Sequence, residues 1–102
     1  MMRLRFLRLA EDELTAAGQW YDREQRGLGD RFFDAVVISR RRIESDPFTL
    51  PTTEHYWGSR DVRRCPVEGF PYQVIFEIRP DEIVVLAVAH GSRRPGYWNR
   101  RK

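Results

Sequence analysis

The chain has 102 residues, which is room for one hydrophobic core, so residues 1–102 are read as a single domain ending in a basic tail over 91–102. Hydrophobic residues at 41% can fill that core, and 32% charged residues exclude a membrane-embedded chain, while the aromatic content excludes an intrinsically disordered one. The net charge of +3 is uneven: residues 91–102 hold Arg93, Arg94, Arg100, Arg101 and Lys102 with no acid, and the other ninety hold 13 basic and 15 acidic side chains.

No apolar run approaches the roughly 18 residues that span a bilayer, and the first residues lack the apolar stretch and small-residue cleavage site of a secretory leader. A lone cysteine, Cys65, is also unlike a small disulfide-stapled secreted domain, so the expected location is cytoplasmic and no membrane partner is expected. The basic block suits an anionic partner, either nucleic acid or an acidic protein segment, or else forms a solvated terminus.

In chain order, Arg3-Leu4-Arg5-Phe6 alternates polar and apolar, the period of a half-buried strand. An acidic turn at Glu11, Asp12 and Glu13 then opens a helix over about Ala10 to Gln25, with Leu14, Ala17 and Tyr21 at spacings of three and four. Gly18 is a weak point inside it. Gly27-Leu28-Gly29 breaks the pattern, Asp30 is the expected N-cap, and Phe32, Phe33, Val36, Val37, Arg40 and Ile43 resume a helical period. The short link predicts an antiparallel helical hairpin. Asp46-Pro47 ends the second helix, and residues 46–60 show no period, which predicts a long loop.

The second half reads as strands at Asp61 to Val67, Tyr72 to Ile78 and Ile83 to Ala89, separated by Glu68-Gly69-Phe70-Pro71 and Arg79-Pro80-Asp81-Glu82. The last of these is apolar on both faces and is therefore expected to be central and covered on both sides. The fold class is α+β, in the order β-α-α-β-β-β, with a twisted antiparallel sheet.

Trp20-Tyr21, Gly27-Leu28-Gly29 with Phe32, Val62-Arg63-Arg64, Phe70-Pro71-Tyr72, and Ala87-Val88-Ala89-His90 running on to Arg94-Pro95-Gly96-Tyr97-Trp98 give the chain a family likeness. In their order and spacing over about ninety residues it resembles the RelE/ParE toxins of type II toxin-antitoxin pairs, closer to the ParE-like branch of plasmid stabilisation proteins. The resemblance implies an N-terminal strand and helical hairpin packed on the sheet. It also implies a cognate antitoxin, a ParD-like ribbon-helix-helix protein whose acidic amphipathic C-terminal segment wraps the toxin. The target it implies is DNA gyrase for ParE-like members, or the ribosome and its mRNA for RelE-like endoribonucleases.

Metal-free RNA cleavage needs an acid/base pair, cations for the developing charge and an aromatic to hold a base. The candidates are His90, Arg64, Arg94 and Tyr97. Arg63 and Arg64 are adjacent on a strand and point to opposite faces, so only one can line a shared surface. Where the resemblance places the next basic residue this chain has Gln73, and the spaced lysine pair of active ribonucleases is missing. Growth inhibition by target binding is therefore the leading expectation, with no confident catalytic residue, no metal ligand set and no cofactor.

For target binding the candidates are Arg93, Arg94, Tyr97, Trp98, Arg100 and Arg101; for antitoxin binding they are Trp20, Tyr21 and Phe48. Each has a packing alternative. Tyr97 and Trp98 also suit the end of a core, His90 also suits a structural hydrogen bond tying the tail to the sheet, and Trp20 and Tyr21 also suit the core. Arg40-Arg41-Arg42 spreads around a helix and reads as solvated or antitoxin-facing. Cys65 reads as a small buried thiol, and His55 and Trp57 as loop residues that either touch a partner or pin the loop.

Overall fold

A computed structural model describes residues 2–102. Its elements are β1 (Arg3–Phe6), α1 (Arg8–Glu24), α2 (Leu28–Ser45), a 3-10 turn at Pro47–Thr49, β2 (Asp61–Val67), β3 (Tyr72–Ile78) and β4 (Glu82–His90). The α+β class and element order are those expected. The sheet order is β1-β4-β3-β2. β4 is central for the reason its sequence suggested, since its residues from Ile83 to Val88 are buried on both faces.

The three later strands form the expected antiparallel meander, with Tyr72 opposite His90 and Arg64 opposite Ile75. β1 is not stacked on this sheet but joins its edge, pairing in parallel with β4 from Arg3 opposite Glu82 to Phe6 opposite Val85. A parallel neighbour needs a long crossover, and the whole helical hairpin with β2 and β3 supplies it.

Buried positions Gly29, Phe32, Val36, Ser39 and Ile43 on α2 recur at three and four residues, and on α1 Ala10 and Ala17 stand two turns apart with partly buried Leu14 between them, so each helix turns one stripe to the sheet. Around Phe32 the rings of Tyr21, Phe33, Phe70 and Tyr72 lie with centroids 5.0–6.1 Å away. Ser39 ties α2 to the sheet by donating to the Pro66 carbonyl at 2.8 Å.

The start of α2 departs from the expected Asp30 cap. The N-cap is Gly27, at φ 86°, a left-handed conformation that glycine adopts without Cβ strain. The capping oxygen comes instead from the preceding helix: Asp22 Oδ1 accepts from the Gly27 and Gly29 amides at 3.0 and 3.1 Å. Gly18 likewise has a packing reason. A Cβ on Gly29 would stand 2.5 Å from the Gly18 carbonyl oxygen, and one on Gly18 would stand 2.1 Å from the Phe33 ring. The hairpin closes only because both side chains are missing. Gly29→Ala is expected to lower unfolding free energy by about 1–3 kcal/mol, read from urea denaturation, because the obstacle is backbone; a neutral result would mean that the hairpin spreads without cost.

No helix among the described residues is long and apolar enough to cross a membrane.

Candidate functional site: the basic arm and the sheet edge it covers

With both helices on one face of the sheet, the opposite face carries Val62, Ile75, Val84, Leu86 and Ala87, and apolar strand residues left bare there would cost solvation free energy. Residues 91–102 cover them. The arm is a chain of turns, with Arg93 N–H donating to the His90 carbonyl, Tyr97 to Arg94, Asn99 to Gly96 and Arg101 to Trp98. Its plug is Trp98, 3% exposed and packed among those five residues. Trp98 is therefore a core residue and not an exposed docking anchor, a correction to its place among the target contacts.

Two clamps hold the arm. In the first, Arg60 donates to the carbonyls of Arg101 and Asn99 at 2.9 and 3.0 Å and to Glu77 Oε1 at 3.1 Å, with Tyr56 oxygen accepting from its Nε. The neighbouring guanidinium also holds the Tyr56 phenol below its ordinary value. In the second, Glu13 on α1 accepts from Arg101 at 2.8 and 3.2 Å, from the Tyr97 hydroxyl at 2.6 Å and from the Val88 amide at 3.0 Å. Burial first, and then the Glu13 carboxylate, push the Tyr97 phenol well above its usual value.

Arg101 is thus a paired, mostly buried structural cation, the second correction to the target set. Arg93, Arg94 and Arg100 remain exposed. Arg93 stacks over the Tyr97 ring at 4.0 Å and stands 3.9 Å from Glu13. Arg94 and Arg100 have no carboxylate within ion-pair distance among the described residues. An open groove of about 420 Å³ runs beside the arm, lined in part by His55, Gln73, His90, Arg94 and Tyr97.

The ribonuclease quartet is only partly gathered. His90, Arg94 and Tyr97 line that groove, whereas Arg64 lines an adjoining cleft with Thr53, Glu54, His55 and Gln73. His90 is the last residue of β4 rather than the first after it. Its Nδ1 accepts from the Ser92 amide at 2.9 Å, and its ring meets Tyr72 edge-on at 4.9 Å, which is the structural role. The Tyr97 hydroxyl is committed to Glu13. Arg63, as the strand alternation required, faces the other way and donates to Asp61 and to the Phe48 and Leu50 carbonyls.

Of the antitoxin candidates, Tyr21 belongs to the aromatic cluster around Phe32 and serves the core. Trp20 is 50% exposed at the end of α1, and Phe48 is 62% exposed beyond the end of α2 with Arg63 over its ring. Trp57 is 84% exposed. Cys65 is buried as expected, and burial raises its thiol. Arg40 pairs with Glu44, while Arg41 and Arg42 are exposed.

Glu13 and Arg60 were not singled out by sequence. Glu13 reads locally as one more acid in a first helical turn, and Arg60 falls in a segment without period. Their partners lie up to 88 and 41 residues away.

Helical hairpin and four-stranded sheet make the chain an α+β domain. The sequence model of the family described as "ParE toxin of type II toxin-antitoxin system, parDE" matches residues 4–95. The chain belongs to that family. It is also similar in fold to a solved structure described as the "Chromosomal ParDE TA system from P. aeruginosa", with a TM-score of 0.71 at 18% identity over 88% of this chain and 96% of that one. No curated protein matches it.

Proposed function

We propose that this ParE-family toxin stops growth by binding DNA gyrase through the exposed guanidinium groups of its arm, and that a ParD-like antitoxin neutralises it. The observation that carries this reading is the arm itself: anchored at Trp98 and Arg101, it leaves Arg93, Arg94 and Arg100 exposed. The backbone that carries them is tied down by turns and clamps and Arg93 rests on the Tyr97 ring, so less of the arm has to be ordered on docking, and Arg is the residue most suited to multidentate contacts. The alternative of a ribosome-dependent mRNA endoribonuclease has less support, because Gln73 stands where a further cation would be needed and Tyr97 and His90 already have partners.

For the antitoxin, Trp20 and Phe48 mark opposite ends of the hairpin, separated by a helix about 27 Å long at 1.5 Å per residue. Between them an apolar groove holds Leu4, Phe6, Leu14, Phe33, Val36 and Val37, with Glu11 and the already paired Arg5 and Arg40 at its rim. An amphipathic segment, extended or helical, that orders on binding fits that length and apolar lining.

Purified protein is expected to inhibit gyrase supercoiling, and the triple variant Arg93→Ala, Arg94→Ala, Arg100→Ala to need at least about tenfold more protein for the same inhibition while keeping its thermal unfolding midpoint. Folded protein that leaves supercoiling untouched, especially if transcripts are cut on its expression, would sink this reading.

A further inference from the structure

β1 covers the edge of β4 only as far as Val85, whose carbonyl accepts the Leu7 amide at 3.0 Å. β4 continues to His90, so its next edge groups have no strand beside them. Backbone groups inside a protein must still be paired. Here the Leu86 carbonyl accepts from Arg101 Nη1 at 3.0 Å, and the Val88 amide donates to Glu13 Oε1 at 3.0 Å. Arg101 and Glu13 are bonded to each other in turn. An ion pair from two remote segments thus takes the place of a strand, one member serving a carbonyl and the other an amide.

The same carboxylate bears on one of the arm's exposed cations, Arg93. Glu13 Oε2 takes the Tyr97 hydroxyl, and the Tyr97 ring carries the Arg93 guanidinium on its face. Arg100 sits between buried Trp98 on one side and anchored Arg101 on the other. Arg60 holds the arm at the Asn99 and Arg101 carbonyls, on either side of Arg100, and does not reach Arg93 or Tyr97. We propose that Glu13 is a positioning residue of the arm: from α1 it fixes the placement of Arg93 through Tyr97 and, together with Arg60, holds the end of the arm around Arg100 through Arg101. This deepens the docking reading above and rests on it for its functional half.

Glu13→Gln keeps the size of the side chain and an acceptor for the Val88 amide, and removes the charge that Arg101 needs. Full-length Glu13→Gln, Glu13→Ala and Arg101→Gln, with the Glu13→Gln/Arg101→Gln pair, would be compared by hydrogen exchange and by supercoiling inhibition. Expected are exchange faster by about tenfold or more over residues 93–102 and at Val88, unchanged exchange at Ile75 and Phe76, and inhibition weakened about tenfold in each single variant. The pair is expected to be no worse than either single, because both remove one network. An arm equally protected in Glu13→Ala would overturn the proposal, as would a loosened arm that still inhibits at wild-type strength. If Glu13→Ala fails to fold, Glu13→Gln alone decides. Wild-type protein without effect on gyrase would instead sink the docking reading, and the exchange comparison would then judge Glu13's hold on the arm independently.

Discussion

Trp98→Ala is expected to lower the unfolding free energy by about 3–5 kcal/mol, the range for deleting a large buried aromatic. The side chain is 3% exposed among Val62, Ile75, Val84, Leu86 and Ala87, on the sheet face that the helices leave uncovered. Its loss does more than leave a hole. The arm has no helix or strand of its own, so without its plug its placement falls to the Arg60 and Glu13 clamps, and water reaches residues in the middle of β3 and β4. Urea denaturation followed by circular dichroism checks this, with the midpoint falling and arm amides losing exchange protection together. A variant within about 1 kcal/mol of wild type would mean that the arm is not the cover of that face.

Phe32→Ala is expected to cost a similar 3–5 kcal/mol or so for a different reason. Phe32 is fully buried where α2 meets the sheet, and its ring contacts Tyr21, Phe33, Phe70 and Tyr72 within centroid distances of 6.1 Å. Edge-to-face contacts of this kind add to the area buried. Four rings cannot all collapse into the space left by one, so a large part of the cavity term remains. Here the arm is expected to keep its protection while the hairpin loses it. A midpoint shift confined to the arm would contradict this assignment.

The two substitutions differ in how they are read. Phe32 is legible in sequence, since it heads the helical period of Phe32, Phe33, Val36, Val37, Arg40 and Ile43, of which Val36 and Ile43 are buried with it while Val37 and Arg40 turn outward. Trp98 follows a turn in a basic stretch, and nothing within several residues distinguishes a plug from an anchor. The same division runs through the fold. β4 was recognisable as central because an apolar run on both faces needs cover on both sides, yet the parallel attachment of β1 was not, because pairing direction depends on a connection of some seventy residues. Asp30 looked like a helix cap by position, but Asp22 does the capping because the tight hairpin brings the end of α1 against the start of α2.

At the site, alternation separated Arg63 from Arg64 correctly, since side chains on a strand alternate whatever surrounds them. The fate of the arm's five cations was another matter. Their number and clustering were plain in the sequence, but whether each is spent on the protein itself depends on acids and carbonyls far along the chain, at Glu13 and Leu86 for Arg101.

By itself the amino-acid sequence determined the main helices and strands, their order, the central place of β4 and the concentration of positive charge at one end. Those follow from steric periods and composition, which act over a few residues. Only the tertiary structure decided that Trp98 and Arg101 turn inward, that Tyr21 serves the core, and that Glu13 and Arg60 hold the arm. Such choices are made by groups that meet across 11 to 88 residues, from Tyr21 on Phe32 to Arg101 on Glu13, where no local period carries information and only the closed sheet sets which groups meet.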